Sequence, residues 1–453
     1  MIMIEFKDIE SIFFIGIGGI GMSALAKHFK QQGKVVFGYD RTPSEITDSL
    51  IQMGIPIQFE DLIEDLPDQI KNKNKKTTII VYTPAIPDSN QIISWFRAKH
   101  YSIHKRAAVL GAITRDKICL AVAGTHGKTT TCAILSHLLM DCNMPVTSFI
   151  GGISENYNSN YLNNGDDIMV VEADEFDRSF LHLDPDIACI TTMDADHLDI
   201  YTDSTNFENT FIEFSELISN KDQLLIKKGL PLDGKTVSIE EQSDYEAYNL
   251  RLDDGCYIFD LKTPSEEIKD LRFHLPGRHN MYNAVTALGM AILAGTPTFC
   301  LPKALSTFKG VKRRFSYKIK SNDTILIDDY AHHPTEINAL YHAVSELYPE
   351  DEILIVFQPH LYSRTRDFVN GFAESLSQFD EVLLMDIYPA RELPIPGVTS
   401  EWLYEKILAD NKKVISKENL PIEMKRSKSR IKLMVGAGDI GEEVQTIIDY
   451  LTK

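Results

Sequence analysis

The chain predicts an α/β protein of several sheets, and three observations carry that reading. Short β-branched runs alternate with helical segments along most of the 453 residues. Two of these runs end in glycine loops that open helices, at residues 16–21 and 124–130. The length suits about three domains at roughly 150 residues each. Apolar residues make up 43% and charged residues 25%, a balance that builds ordinary cores without disulfide or metal staples. A net charge of −19 argues against a non-specific nucleic-acid or anionic-membrane binder, while leaving room for a local basic pocket. No apolar run approaches spanning length, and Glu5, Lys7 and Asp8 do not open a signal peptide. The expected setting is cytoplasmic, with no nucleic-acid partner and no membrane insertion; oligomeric state stays open. Six cysteines without a CxxC pair are expected as reduced thiols, four of them in apolar runs.

The elements follow in order. Strands are expected at 12–16, 35–39, 78–82, 118–123, 168–172 and 187–192, then at 324–328, 353–357, 382–386 and 431–435. Continuous apolar strands between helices belong to parallel sheets covered on both faces. Residues 230–276 read differently: Asp254-Gly255 lies between two strand-like runs and predicts a hairpin, an antiparallel addition to the middle domain. The lysine-rich run 71–76 reads as a solvated loop. Boundaries near Ala107 and Arg314 divide the chain into 1–107, 108–314 and 315–453. These are expected to be a Rossmann-like domain, a central P-loop ATPase-type domain with a parallel sheet, and a second Rossmann-like domain.

The first glycine loop, Gly16-Ile17-Gly18-Gly19-Ile20-Gly21, follows a strand and precedes a helix, and Asp40 ends the next strand. Glycines there let backbone approach a pyrophosphate at a helix N-terminus, and the acid can accept from a ribose hydroxyl. The loop does not say which pyrophosphate. The same pattern recurs at 436–441, too near the end of the chain for a second strand and its acid, so it reads as a turn.

The second loop, Gly124-Thr125-His126-Gly127-Lys128-Thr129-Thr130, is a short form of the phosphate cradle, with Val122 where the usual pattern has glycine. Backbone N–H groups wrap the β-phosphate, the lysine reaches the β/γ oxygens, and the hydroxyl holds Mg²⁺. Acidic clusters close the next two strands, on the edge where the loop lies. Glu172 and His197 sit where a metal would be, whereas Asp174, Glu175, Asp194 and Asp199 read as solvated groups or helix caps.

Nine segments in order then resemble the Mur ligases, the ATP-dependent amide-forming enzymes of peptidoglycan precursor synthesis. They are GIGGIGMSALA, AGTHGKTTT, VVEADEFDRSFL, DADHLDIY, GRHNMYNAV, GVKRRF, DDYAHHPTEI, FQPHLYSRTRDF and DIYPARELPIPGV, and they span essentially the whole chain. The resemblance implies that ATP lies against Gly124 to Thr130, Asn280, Asn283 and Asp329. Thr129 and Glu172 would hold one Mg²⁺, for which Mn²⁺ can substitute, and His197 a metal near the reacting acyl phosphate. Arg314 would meet the γ-phosphate when domains close. Gly18, Gly19, Ile20, Gly21, Asp40, Thr83, Pro84, Ala85 and Arg106 would line a UDP-sugar pocket in the first domain. Tyr330, His332, His360 and Arg364 would approach the amino acid.

The implied reaction joins L-alanine to the lactyl carboxylate of UDP-N-acetylmuramate through an acyl phosphate. Its catalytic set would be Lys128, His197, Arg314 and His332, with His197 or His332 as base. Without the resemblance, Asn280 and Asn283 read as a polar helix face, and Arg313-Arg314 as an exposed charge pair. The family commonly has arginine where this chain has Leu361, which shifts the carboxylate contact onto Arg364 or Arg366. Sister ligases carry a metal-positioning lysine on the helix after the metal histidine; here the first lysine is Lys221. The alternatives are a ligase that adds a tripeptide to the same sugar nucleotide, an NAD-dependent dehydrogenase, and a P-loop ATPase without ligase activity.

Overall fold

The computed structural model describes residues 4–71, 74–194, 204–253, 255–390 and 392–452. His197 and the segment around it lie outside the described residues, as does Asp254. Among the described residues the strands form sheets of five, ten and six. In the first, Ser11–Ile15 lies at the centre between Val35–Tyr39 and Thr78–Tyr82, all parallel. Every residue of Ser11–Ile15 is buried, Ile12 and Phe14 toward one apolar cluster and Phe13 and Ile15 toward another. That is why the strand reads as a continuous apolar run. Its two neighbours extend the sheet in opposite directions, so its carboxyl end is a switch point, and the first glycine loop occupies it.

The ten-stranded sheet has a parallel core around Ile118–Ala123, which pairs with Ile168–Glu172 and Ile187–Ile190. Antiparallel ribbons finish both edges. The hairpin expected about Asp254-Gly255 is present, with Tyr245–Asp253 against Cys256–Lys262. A second, Val146–Ser154 against Ser159–Asn163, was not legible because Gly151-Gly152 interrupts its alternation. The helix Lys128–Asp141 starts at the phosphate loop and is buried along nearly its whole length, with Arg278–Leu293 packed beside it. Lys221 lies beyond the helix Ser204–Glu216 and donates to Ser215 O at 2.6 Å.

In the third sheet the carboxyl ends of Ile325–Asp329, Ile353–Phe357 and Ile431–Val435 lie side by side and carry the turns at 330–333, 358–361 and 436–438. Among the described residues no helix is long and apolar enough to cross a membrane. One expectation fails. Cys142 and Cys300, 158 positions apart, form a disulfide, with Cα atoms 5.7 Å from each other. Both sit at half-buried helix ends that only the packed domain brings together. Cys119, Cys132, Cys189 and Cys256 are buried thiols, as the apolar runs imply.

Candidate active site

The phosphate loop takes its shape from two glycines. Gly124 and Gly127 hold φ of +124° and +84°, and a Cβ on either would meet Thr191 Oγ1 at 2.1 Å or Asn283 Oδ1 at 2.4 Å. Only glycine fits both places. Lys128 opens the following helix and folds back over the loop, donating to Gly124 O at 2.6 Å and Thr125 O at 3.2 Å. Its third donor meets the Glu175 carboxylate at 2.8 Å. Glu175 is 1% exposed, so its reading as a solvated acid is corrected. Burial works against the Lys128 charge, but Glu175, Asp174 and Glu172 hold its ammonium above the ordinary lysine value. Asp174 and Asp194 keep the reading given to them: both are partly exposed, Asp174 accepts from Phe176 N–H at 3.1 Å, and they lie 3.5 Å from Arg106 and His126.

Thr129 Oγ1 donates to the Glu172 carboxylate at 3.0–3.1 Å, and Glu172 also accepts from Gly151 N–H at 3.0 Å. A hydroxyl beside a carboxylate at the β/γ end of the loop is an oxygen donor set that fits Mg²⁺. Among the described residues no group of three or more His, Cys, Asp and Glu gathers as a metal cage. Phosphate oxygens and water, which Mg²⁺ accepts, could complete the set; the expected ligand His197 lies outside the described residues.

Arg314 reaches Thr129 Oγ1 at 3.3 Å from the start of the third domain. Arg313 is not an exposed partner to it. Its guanidinium donates to Gly436 O at 2.6 Å and approaches Gly438 O and Asp328 at 3.4 Å. A Cβ on Gly441 would lie 2.3 Å from that guanidinium. The second glycine pattern is thus a turn, as expected, and it is a seat for an arginine.

Two clefts lie near this loop: the first is lined by it, and the second reaches it through Glu172, which accepts from Thr129. The first is lined by His126, Gly127, Thr130, Asn280, Asn283, Arg314 and Asp329, seven of the residues expected around ATP; Gly124, Thr125, Lys128 and Thr129 are not in its lining. Asp329 accepts from Phe315 N–H at 2.7 Å and Ala331 N–H at 2.8 Å, and burial pushes its carboxyl up to about 6. It shapes the turn as well as lining the cavity. The other cleft, of about 530 Å³, joins all three domains. Gly19, Ile20, Gly21, Thr83, Pro84, Ala85 and Arg106 form one side, Tyr330, His332, His360 and Arg364 the other, with Glu172 between. Gly18 and Asp40 brace this loop: Asp40 accepts from Gly18 N–H at 2.8 Å and Thr42 N–H at 3.2 Å.

His332 Nδ1 lies 2.9 Å from Tyr330 O. A carbonyl only accepts, so Nδ1 carries the hydrogen and Nε2 is the nitrogen that can take a proton. His360 stacks on Tyr388 and lies 3.4 Å from an Arg364 nitrogen. Leu361 is buried and holds φ of +70°. Sequence reasoning missed Glu175, Glu336 and Tyr388. Glu336 carried a weak signal, three residues after the helix-capping His333.

A three-domain chain whose phosphate loop and sugar-nucleotide-type glycine loop line two neighbouring clefts, each closed by the third domain, is an ATP-dependent ligase of the Mur type. Residues 11–118 match the Mur ligase family catalytic domain, 122–291 its middle domain and 313–439 its glutamate ligase domain. The chain belongs to the Mur ligase family. It is 56% identical over 447 residues to UDP-N-acetylmuramate–L-alanine ligase of Flavobacterium johnsoniae, covering 99% of both chains. To the enzyme of the same name from Porphyromonas gingivalis it is 44% identical, over 98% of this chain and 99% of that one. The crystal structure of UDP-N-acetylmuramate–alanine ligase from Thermotoga maritima superposes with a TM-score of 0.82 at 27% identity, covering 98% and 99%.

Proposed function

We infer that this chain is an ATP-dependent ligase that joins L-alanine to the lactyl carboxylate of UDP-N-acetylmuramate in peptidoglycan precursor synthesis. The observation that carries the reading is the shared cleft, in which the first glycine loop, Glu172 and the third-domain histidines and Arg364 face one another. In the first step the lactyl carboxylate attacks the γ-phosphate, giving an acyl phosphate and ADP. Negative charge gathers there, and Lys128 and Arg314 stabilise it without covalent chemistry. Mg²⁺ held by Thr129 and Glu172 would add neutralising charge on the phosphates. The alanine amine then attacks the acyl carbon, His332 takes its proton, and phosphate leaves as the amide forms. Arg364 holds the alanine carboxylate, for which a planar guanidinium is suited. The reading places the chain in the cytoplasm, with ATP as co-substrate.

Binding and substitution test it. UDP-N-acetylmuramate should bind without ATP, and NAD should fail to compete; tight NAD binding at the first loop would contradict the reading. Arg364→Ala should raise the KM for alanine far more than that for ATP, since the lost partner serves one substrate. Equal rises for both would give Arg364 to the nucleotide or to the fold.

A further inference from the structure

Glu336 lies in the first turn of the third-domain helix Pro334–Leu347, and no step above uses it. Its side chain is 19% exposed and borders the nucleotide cavity. One carboxylate oxygen meets His126 Nδ1, on the phosphate loop of the central domain, at 3.2 Å. The other accepts the His332 N–H at 2.9 Å and lies 3.4 Å from His332 Nδ1. His126 is also 3.5 Å from Asp194, and its ring packs against His333 with centroids 5.0 Å apart. A glutamate that only capped its helix would stay within its own turn. Here a single carboxylate ties the loop that holds ATP to the turn that carries the base.

We propose that Glu336 is a positioning residue for ligation: it latches the third domain onto the phosphate loop, so that water is kept from the acyl phosphate until alanine attacks. The proposal rests on the ligase reading above. Burial alone would push the Glu336 carboxyl up, but His332 and His126 hold it well below the usual range, so the latch is anionic. An acyl phosphate in a loosened site is open to water. Water attack on the acyl carbon releases phosphate and returns the lactyl carboxylate, so ATP is consumed and no amide forms. Glutamine at this position could still accept from His126. Its amide nitrogen, however, would face the His332 N–H donor to donor.

The test measures ADP and amide in one reaction for Glu336→Gln and Glu336→Ala, with UDP-N-acetylmuramate binding as the check that each variant is folded. Turnover should fall on the order of 10–100-fold, the usual effect of losing a carboxylate that orients a histidine. The sugar nucleotide should bind as before, and ADP per amide should rise above one, more in the alanine variant. A ratio that stays at one in both variants, whether or not turnover falls, overturns the latch. Failure of the unsubstituted protein to form ADP in response to UDP-N-acetylmuramate and alanine would instead overturn the ligase reading.

Discussion

The two junctions of the central domain are built from different chemistry. Against the first domain the junction is a continuous apolar core: Ile12, Phe14, Leu25 and Val36 share one cluster with Ala121, Phe149 and Val171. Within it Lys27 donates to Asn160 Oδ1 at 2.8 Å, Asn160 donates to Ile20 O at 2.6 Å, and His28 meets Tyr161 Oη at 3.2 Å. Against the third domain the apolar clusters stay separate, one ending at Val311 and the next starting at Phe315. What crosses there is polar: His126 to Glu336, Arg314 to Thr129, Ser316 to Glu155 and Tyr257 to Glu346. Apolar surface cannot be parted without exposing it to water, whereas polar pairs exchange for hydration at small net cost. The first junction therefore fixes the sugar-nucleotide wall, and the second can open and close over ATP. The linker suits that motion, since Gly310, Arg313 and Phe315 hold φ of +119°, +61° and +49°.

The sharpest way to separate the two junctions is Lys128→Ala. Ligation should drop by at least 10²–10³-fold, the usual effect of losing one charge-stabilising donor, while UDP-N-acetylmuramate binding on the fixed wall stays intact. Near-normal turnover would remove Lys128 from the phosphate site.

Asn160→Ala attacks the fixed junction and leaves the Lys27 ammonium buried without its acceptor. A hydrogen bond to a charged group contributes about 1.5–3 kcal/mol, and chemical denaturation should show a loss of that size with kcat of the folded protein unchanged. A drop in kcat without a drop in stability would mean that the junction takes part in turnover.

Acid should weaken the same junction. Burial, partly countered by Asp166, holds the His28 imidazole down at about 4. The unfolded chain takes up its proton below about pH 6.5 and the folded chain does not, so stability falls as pH falls. Between pH 7.5 and 5 the loss from His28 is about 2 kcal/mol, read as the difference in melting between the protein and His28→Gln. Parallel pH profiles for the two would place the effect elsewhere. The smallest effect belongs to the polar junction: Glu346, the partner of Tyr257, is exposed and water can replace the lost donor, so Tyr257→Phe should cost about 1 kcal/mol or less and change the KM for ATP more than the melting temperature.

Much of this site was legible because its parts are local. Each glycine loop sits between a strand and a helix in one stretch of chain, and Thr129 and Glu172 belong to segments whose spacing already points to phosphate chemistry, whereas Arg314 read as an exposed charge and gained its role only through the family resemblance. Glu175 and Glu336 were not legible because an acid that follows a strand or opens a helix looks solvated until a partner from elsewhere buries it. Asp40 fills the expected fingerprint position, and its carboxylate also braces the loop through the Gly18 and Thr42 N–H groups, a contact the pattern alone does not show. The second glycine pattern depended on Arg313, more than a hundred residues away, whose guanidinium its carbonyls hold. The disulfide joins residues that share no local pattern.

Phosphate release by the full chain, with ATP and UDP-N-acetylmuramate present and the amino acid varied, tests the central claim most directly. Release should require the sugar nucleotide and be driven by L-alanine, with one amide formed for each phosphate. Release that ignores the sugar nucleotide, or that prefers a tripeptide to alanine, would contradict it.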